Sequence, residues 1–160
     1  MVCRIAFLFV LLFACAGAHA GDASEVDGLI VESSPHDVAT TVERFQRVAR
    51  ANGLTVFDTV DHAEGATQAG MDLAPTTLVI FGNPKAGTPL MQCGRTMGID
   101  LPAKALIWAD DGETRLAYND IEYLAERHDI GDCKAVPKVG AMLDKLATKT
   151  ISEDALDGGD

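Results

Sequence analysis

The chain has 160 residues, with 24 acidic and 13 basic side chains and a formal net charge of −11. Its length suits one domain with its own hydrophobic core and is too short for two domains of ordinary size. An acidic surface repels nucleic acids and anionic membranes, and the sequence shows no local basic patch, so we expect no nucleic-acid partner.

The first 20 residues are typical of a secretory signal peptide. Arg4 precedes an apolar run over residues 5–13, and small residues follow up to an A-x-A cleavage site that ends at Ala20. Because this run is shorter than the roughly 20 residues that a bilayer core requires, we expect no membrane span. The sequence predicts a periplasmic or secreted protein cleaved after Ala20. Lipidation of Cys15, within a loose match to a lipobox, is the alternative.

Cleavage after Ala20 would leave two cysteines, Cys93 and Cys133. An even number of thiols in an oxidising compartment predicts one disulfide between them. In the chain-entropy model, closing a loop of about 40 residues stabilises a fold by about 4 kcal/mol. A redox-active or metal-binding thiol pair is the alternative, although the spacing is far from the C-x-x-C pattern.

The first part of the chain predicts a strand, a helix and a second strand. The run GLIVES (28–33) is short and apolar, as in a strand. Ser34 is the predicted N-cap of a helix with Pro35 in its first turn, and residues 52–53 are predicted to end it. LTVFDTVD (54–61) alternates between apolar and polar side chains, which predicts a half-buried strand. The helix has apolar residues at helical spacing: Val38, Val42, Phe45 and Ala49.

The middle of the chain predicts a central strand between two helices. The small, polar residues 62–70 predict one short helix. TTLVIFGN (76–83) is the most apolar run after the N-terminal segment and predicts a central strand. Thr88 is the predicted N-cap of the next helix, which has Pro89 in its first turn and runs to about Gly98.

Two further strand patterns predict a β-hairpin. AKALIWAD (103–110) and ETRLAYN (113–119) flank the dipeptide Asp111-Gly112, which favours a tight turn between strands. The chain therefore has about five strands, and helices separate the earlier ones. This pattern predicts an α+β fold: a two-layer sandwich in which an about five-stranded, mostly antiparallel sheet packs against helices.

The C-terminal part predicts two more helices. Asn119 is the predicted cap of a helix that ends at Gly131, and a last helix is predicted over residues 134–150. Residues 151–160 are polar and predict a disordered tail. One α+β domain is therefore expected over residues 21–150.

The stretch FGNPKAGTPLMQ (81–92) superficially resembles a phosphate-binding loop. Gly82 and Gly87 have the right spacing, but no Lys follows the second Gly, and Pro89 removes a backbone N–H. A weaker prediction is an anion held at the start of the helix, with Lys85 nearby. The alternative is that this stretch only turns a strand into a helix.

Four segments carry a family resemblance over about residues 28–130: GLIVESSPHDVATTVERFQRVARANGLTVFDTVDHAEGA, FGNPKAGTPLMQ, LPAKALIW and YNDIEYLAERH. In this order they resemble the domain of unknown function 302 family. The resemblance implies a small α+β fold of the TATA-binding-protein-like or helix-grip-like type, allows a homodimer, and implies no agreed activity. Exported members carry cysteines that match Cys93 and Cys133. Ile121 departs from the family pattern, in which Pro follows the Asn-Asp pair more often.

Polar residues inside or beside apolar segments form a candidate ligand-binding set. His62 is a candidate general base or metal ligand, and a hydrogen bond within a turn is its structural alternative. Helix capping is the alternative for Asn119 and Asp120. His128 lies on the apolar side of its helix and is predicted to be a satisfied, partly buried histidine. The candidate set comprises His62, Asn83, Lys85, Gly87, Thr88, Lys104, Asn119 and Asp120.

No motif identifies a metal, a cofactor or a catalytic nucleophile. The histidines and cysteines have neither the i, i+4 nor the C-x-x-C spacing of a metal site, and the sequence lacks a G-x-S-x-G elbow. We therefore predict no cofactor. The leading hypothesis is an exported, non-enzymatic module that binds a small ligand, an anion or a protein partner. The alternative is an enzyme that uses His62 with Lys85 or Lys104 on a small acidic or carbonyl substrate.

Overall fold

The computed structural model describes residues 26–153 and contains a five-stranded antiparallel sheet. The strands lie in the order β1-β5-β4-β3-β2, and every neighbouring pair is antiparallel. The predicted α+β fold is thus confirmed. The strands are β1 (Leu29–Ser34), β2 (Thr55–Asp61), β3 (Thr76–Gly82), β4 (Ala103–Asp110) and β5 (Glu113–Asn119). The helices are α1 (Val38–Ala51), α2 (His62–Gln68), α3 (Pro84–Cys93), α4 (Ile121–Arg127) and α5 (Val136–Ile151), with a short 3-10 helix over Arg95–Ile99.

The hydrophobic core lies between one face of the sheet and the helices α1 and α5. Alternate strand positions point to this inner face, and their side chains are 0% exposed at Val79, Phe81, Ile107 and Leu116. Phe45 of α1 meets Phe81 edge to face, with ring centroids 4.9 Å apart. This geometry adds about 1 kcal/mol to the burial of the two rings.

The opposite face of the sheet is also apolar, and we call it the open face. Its side chains are partly buried or exposed, because α2 packs against one corner and no other helix of the described residues covers it. The open face is defined by Leu29, Val31, Val60, Leu78, Ile80, Leu106 and Trp108.

The hairpin between β4 and β5 matches the sequence prediction in both strands. Asp111 and Gly112 both have positive φ, 47° and 87°. A two-residue turn with two positive φ angles follows the right-handed twist of the flanking strands, which explains the preference for Asp-Gly.

The predicted start of α1 is wrong by three residues. α1 begins at Val38, and its N-cap is Asp37, whose carboxylate accepts from the Thr40 amide at 2.7 Å. Ser34 cannot cap it, because Ser34 still pairs with Thr114 in the sheet.

The predicted limits of α4 are also corrected. Asn119 is the last residue of β5, so the cap passes to Asp120, which accepts from the Glu122 amide at 2.8 Å. The helix ends at Arg127 rather than at Gly131, because Asp129 takes a left-handed conformation with φ 55°.

The end of α5 is tied to α1 by a buried arginine. Arg44 is 8% exposed and donates to the backbone carbonyls of Thr150 and Ser152, each at 2.7 Å. These bonds satisfy carbonyls that a helix end otherwise leaves unpaired. Ile151, predicted to lie in the tail, is therefore helical; residues 154–160 lie outside the described residues, as does the predicted signal peptide. No helix within residues 26–153 is long and apolar enough to cross a membrane.

Candidate functional site

The helix α3 starts earlier than the sequence predicts. Its N-cap is Asn83, with Pro84 in the first turn, and the predicted cap Thr88 lies inside the helix beside Pro89. Asn83 is fixed from two sides. Its Nδ2 donates to the carbonyl of Gly53 at 2.8 Å, and its Oδ1 accepts from the Lys85 amide at 2.8 Å. An Asn-Pro start therefore takes precedence over the later Thr-Pro pair.

The amides at the start of α3 already have partners. The Lys85 amide donates to the side chain of Asn83, and those of Ala86 and Gly87 donate to the Asn83 carbonyl at 2.9 and 3.0 Å. Pro84 has no N–H to offer. The helix start thus presents no unpaired donor in its first turn, and the Lys85 side chain is exposed.

A cavity of about 260 Å³ lies between α3, the end of β3 and α5. Gly87 and Thr88 of α3 border it, and Asn83 lies at its edge. The Thr88 hydroxyl makes no hydrogen bond to any described residue, whereas the Asn83 side-chain amide bonds to Gly53 and Lys85. The other walls are almost entirely apolar: Phe57, Leu90, Met91, Leu101, Pro102 and Met142.

Sequence reasoning missed these apolar walls because they come from distant segments of the chain. The sequence contained one signal for a wall residue. Val56 and Phe57 are adjacent apolar residues in an otherwise alternating strand, and the structure has a β-bulge between Val56 and Asp58. The bulge lets Phe57, which is 52% exposed, border the cavity.

The structure does not bring the predicted polar set together. His62 begins α2, next to Asp61, which pairs with Thr77 at the start of β3. Lys85 lies beyond the other end of β3, so the length of that strand places the two residues about 20 Å apart. The enzyme hypothesis pairs His62 with Lys85 or Lys104, and this geometry gives no support to the pairing with Lys85.

The remaining candidates have structural contacts of their own. The Lys104 ammonium donates to the carbonyls of Asp100 and Pro102, both at 3.0 Å. Lys104 and Asn119 border a separate cavity of about 20 Å³, too small for more than a water molecule. Within residues 26–153, no three His, Cys, Asp or Glu side chains converge as metal ligands.

A buried histidine holds one wall of the larger cavity in place. His128, with its side chain 6% exposed, contacts Asp100 Oδ2 through Nε2 at 2.6 Å and Thr96 Oγ1 through Nδ1 at 3.0 Å. Arg127 adds an ion pair to Asp100 at 3.2 Å. These contacts fix the segment that carries Gly98, a wall residue, to the end of α4. His128 is thus a satisfied, partly buried histidine, as the sequence predicts.

The structure joins the sulfur atoms of Cys93 and Cys133, with Cα atoms 6.0 Å apart. This Cα distance is typical of disulfides. Cys93 is the last residue of α3, and Cys133 precedes α5. The bond would therefore hold the end of the helix that borders the cavity.

Tyr118 is the most perturbed titratable group of the core. Its hydroxyl donates to Asp144 Oδ1 at 2.9 Å, and the residue is 5% exposed. Burial, followed by the hydrogen bond to Asp144 and its negative charge, raises the pKa of the Tyr118 phenol well above the ordinary value of 10.0. Tyr118 borders the smaller cavity and not the larger one.

Comparison with known proteins gives a family match and a fold match. The model of the family described as "Domain of unknown function DUF302" matches residues 30–149. A crystal structure of an uncharacterized conserved DUF302 protein from Bacillus stearothermophilus aligns with a TM-score of 0.65 and 16% identity. The alignment covers 79% of this chain and 97% of that one. At this identity, the likeness shows the fold alone.

Curated relatives share a higher sequence identity. Proteins named "Fluoride-specific ion channel FluC 1" from Brucella suis and Brucella abortus are each 50% identical over 111 residues, which is 68% of this chain. The matched region is 44% of the first relative and 41% of the second. The chain thus spans less than half the length of the curated relatives it matches.

Proposed function

Because the chain belongs to the DUF302 family, whose description names no activity, we propose a function from the geometry of the site. We propose that the protein is a non-enzymatic binding module that holds a small, mainly apolar ligand in the cavity beside α3. The observation that supports this proposal is the cavity itself, whose volume is about 260 Å³ and whose walls are apolar. Binding sites for small molecules have this character: mostly apolar walls and a few polar groups.

The size of the cavity limits the ligand. An engineered cavity of about 150 Å³ in another protein binds benzene, so this one has room for a bicyclic aromatic molecule or a medium-length aliphatic chain. The free hydroxyl of Thr88 offers one hydrogen bond at the rim. We therefore expect an uncharged ligand with a single polar group, for which Lys85 is not required.

The test is binding of naphthalene, indole and 1-octanol to the purified protein, measured by calorimetry and by the shift in unfolding temperature. The discriminating variant is Gly87→Leu. A Cβ at Gly87 would lie 3.5 Å from Leu101, an ordinary contact, so a side chain can begin there without a clash and would extend into the cavity that Gly87 borders. Replacing a helical glycine also removes a cost of about 1 kcal/mol, so the variant should remain folded.

We expect at least one probe to bind the wild-type protein and to bind Gly87→Leu at least tenfold more weakly. Gln92→Leu is the matched control, because it adds the same side chain to the same helix at an exposed position outside the cavity. Unchanged binding by Gly87→Leu, or no binding of any probe at millimolar concentration, would refute the proposal.

A second proposal concerns the partner. Three Brucella proteins named as fluoride-specific ion channels contain a segment 50% identical to this chain, and more than half of each lies outside that segment. A domain joined to a channel in one organism supports association with such a channel in another. We propose an accessory role beside a fluoride channel. Deletion of this protein should alter fluoride tolerance of the cell, and equal growth of both strains at all fluoride concentrations would argue against it.

We also propose that the protein acts outside the cytoplasm, in the periplasm or as a secreted protein. The pairing of Cys93 with Cys133 supports this location, because disulfides persist in oxidising compartments. Mass spectrometry of the protein from the cell envelope tests it. A mature N-terminus at Gly21 is expected; an N-terminus at Met1, or a lipid on Cys15, would contradict cleavage after Ala20.

A further inference from the structure

The open face is a continuous apolar surface on the side of the sheet away from the ligand cavity. The inner-face side chains of Val79, Phe81 and Ile107 are fully buried, whereas Val60 on the open face is 36% exposed. Met71 and Leu73, in the segment after α2, extend the surface at its edge and are 61% and 50% exposed. Monomeric proteins seldom expose contiguous apolar patches larger than a few hundred Å².

We propose that the open face binds the open face of a second copy of this chain, forming a two-fold symmetric dimer. In such a dimer two sheets stack face to face, about 10 Å apart, as in a β-sandwich. A two-fold interface requires only that one surface be complementary to itself, which an apolar sheet face satisfies.

The area of the face is sufficient for this contact. Five strands spaced about 4.8 Å apart and about 20 Å long present about 500 Å². Two copies would then bury about 1,000 Å², which is the lower limit for a specific interface. The segment with Met71 and Leu73 adds to this area. We therefore expect a reversible dimer rather than an obligate one.

The charges on this side of the sheet favour a second copy. The chain has a net charge of −11, so two copies repel each other over most of their surface. The sheet positions that face the same way as Trp108 carry three acidic and two basic side chains, which almost cancel. They are Asp58, Asp110, Glu113, Lys104 and Arg115.

The two basic groups on this side already have partners within the chain. Arg115 pairs with Glu113 at 2.9 Å and with Asp110 at 4.0 Å. The Lys104 ammonium bonds to backbone carbonyls beside the sheet. The middle of the open face, at Leu78, Leu106 and Trp108, therefore offers apolar contact.

Trp108 makes the contact directly observable, because it is the single tryptophan of the sequence and lies on the open face. The measurement is sedimentation equilibrium of the purified protein, together with its fluorescence, over a range of concentrations. We expect a dimer with a dissociation constant between about 1 and 100 µM, as suits an interface at the lower size limit. The Trp108 emission should shift to shorter wavelength and its quenching by acrylamide should fall at least twofold as the dimer forms.

The double variant Val60→Glu with Leu73→Glu places two carboxylates on the exposed part of the open face. It should be monomeric at all protein concentrations tested. Ile99→Glu is the matched control, since Ile99 is 74% exposed and lies on the 3-10 helix rather than on the sheet. It should dimerise as the wild type does. Circular dichroism and thermal unfolding confirm that each variant is folded.

Three results would overturn the proposal. The first is a wild-type protein that stays monomeric up to about 500 µM, well above the expected dissociation constant. The second is a dimer that persists in the folded double variant. The third is a dimer in which acrylamide quenches Trp108 as readily as in the monomer, because the copies then meet at another surface, such as the β2 edge or α5. Failure of the ligand proposal would affect none of these measurements.

Discussion

The buried phenol of Tyr118 predicts a specific loss of stability at alkaline pH. In the unfolded chain this phenol titrates near its ordinary pKa of 10.0, whereas in the folded chain burial and Asp144 hold the pKa higher. Below pH 10 both states keep the proton, and the stabilising contribution is fully present. Above pH 10 the unfolded state loses the proton and the folded state retains it. The free energy of unfolding should then fall by about 1.4 kcal/mol per pH unit until the folded phenol also ionises.

The perturbation that isolates this effect is Tyr118→Phe. At pH 8 the variant should lose about 1 kcal/mol of unfolding free energy, because it lacks the 2.9 Å hydrogen bond to Asp144. Above pH 10 the variant should also lack the fall in unfolding free energy that Tyr118 causes. The difference in unfolding free energy between the wild type and the variant should therefore shrink and then change sign. Lysine titration affects both proteins equally and cancels in this comparison.

The assay is urea unfolding between pH 8 and pH 11.5, with the wild-type protein, Tyr118→Phe and Tyr123→Phe. Tyr123→Phe is the matched control, because it makes the same change at the other tyrosine of the sequence, which is 45% exposed. Parallel pH profiles for the wild type and Tyr118→Phe would refute the reasoning, since the phenol would then titrate alike in both states.

Three further predictions concern stability, each measured by denaturant unfolding. Phe81→Ala should cost about 3–5 kcal/mol, since the ring is fully buried against α1; a loss under about 1.5 kcal/mol would contradict this packing. Replacing Cys93 and Cys133 by serine should cost about 4 kcal/mol for a 40-residue separation, and two free thiols in the native protein would contradict the pairing. His128→Ala should cost about 1–3 kcal/mol, because it removes both side-chain hydrogen bonds of an imidazole that is only 6% exposed. The control for this third prediction is Arg127→Ala, which should cost under about 1 kcal/mol, since that side chain is 55% exposed; equal losses would argue against a buried structural role for the histidine.

Local patterns were sufficient to predict most of the sheet. The β4–β5 hairpin follows from alternating side chains around Asp-Gly, and β3 follows from its continuous apolar run. The order of the strands in the sheet could not be predicted from such local patterns. β1 and β2 are consecutive in sequence and lie at opposite edges of the sheet, an arrangement set by how α1 packs across it.

The helix starts show how two adequate signals compete. Asn83 with Pro84 and Thr88 with Pro89 are both plausible cap and first-turn pairs. The structure uses the first, because Asn83 also bonds to the carbonyl of Gly53, a residue 30 positions away. Local propensity does not contain that contact.

The candidate site was harder to predict than the fold. Sequence reasoning selected polar residues, and of these Asn83, Gly87 and Thr88 border the larger cavity. Its apolar walls come from β2, the segment before β4 and α5, whose contributions meet only after folding. An apolar residue such as Met142 gives no sign in the sequence that it borders a cavity rather than the core.

The bonds from Arg44 to the last turn of α5 bear on where the domain can be cut. Two of its acceptors are the carbonyls of Thr150 and Ser152, so removing residues 151–160 would delete the Ser152 acceptor and turn the Thr150 carbonyl into part of the terminal carboxylate. We therefore propose a C-terminal boundary no earlier than Glu153. A shortened protein that stops at Thr150 should be harder to express in folded form than one that also includes Ile151, Ser152 and Glu153.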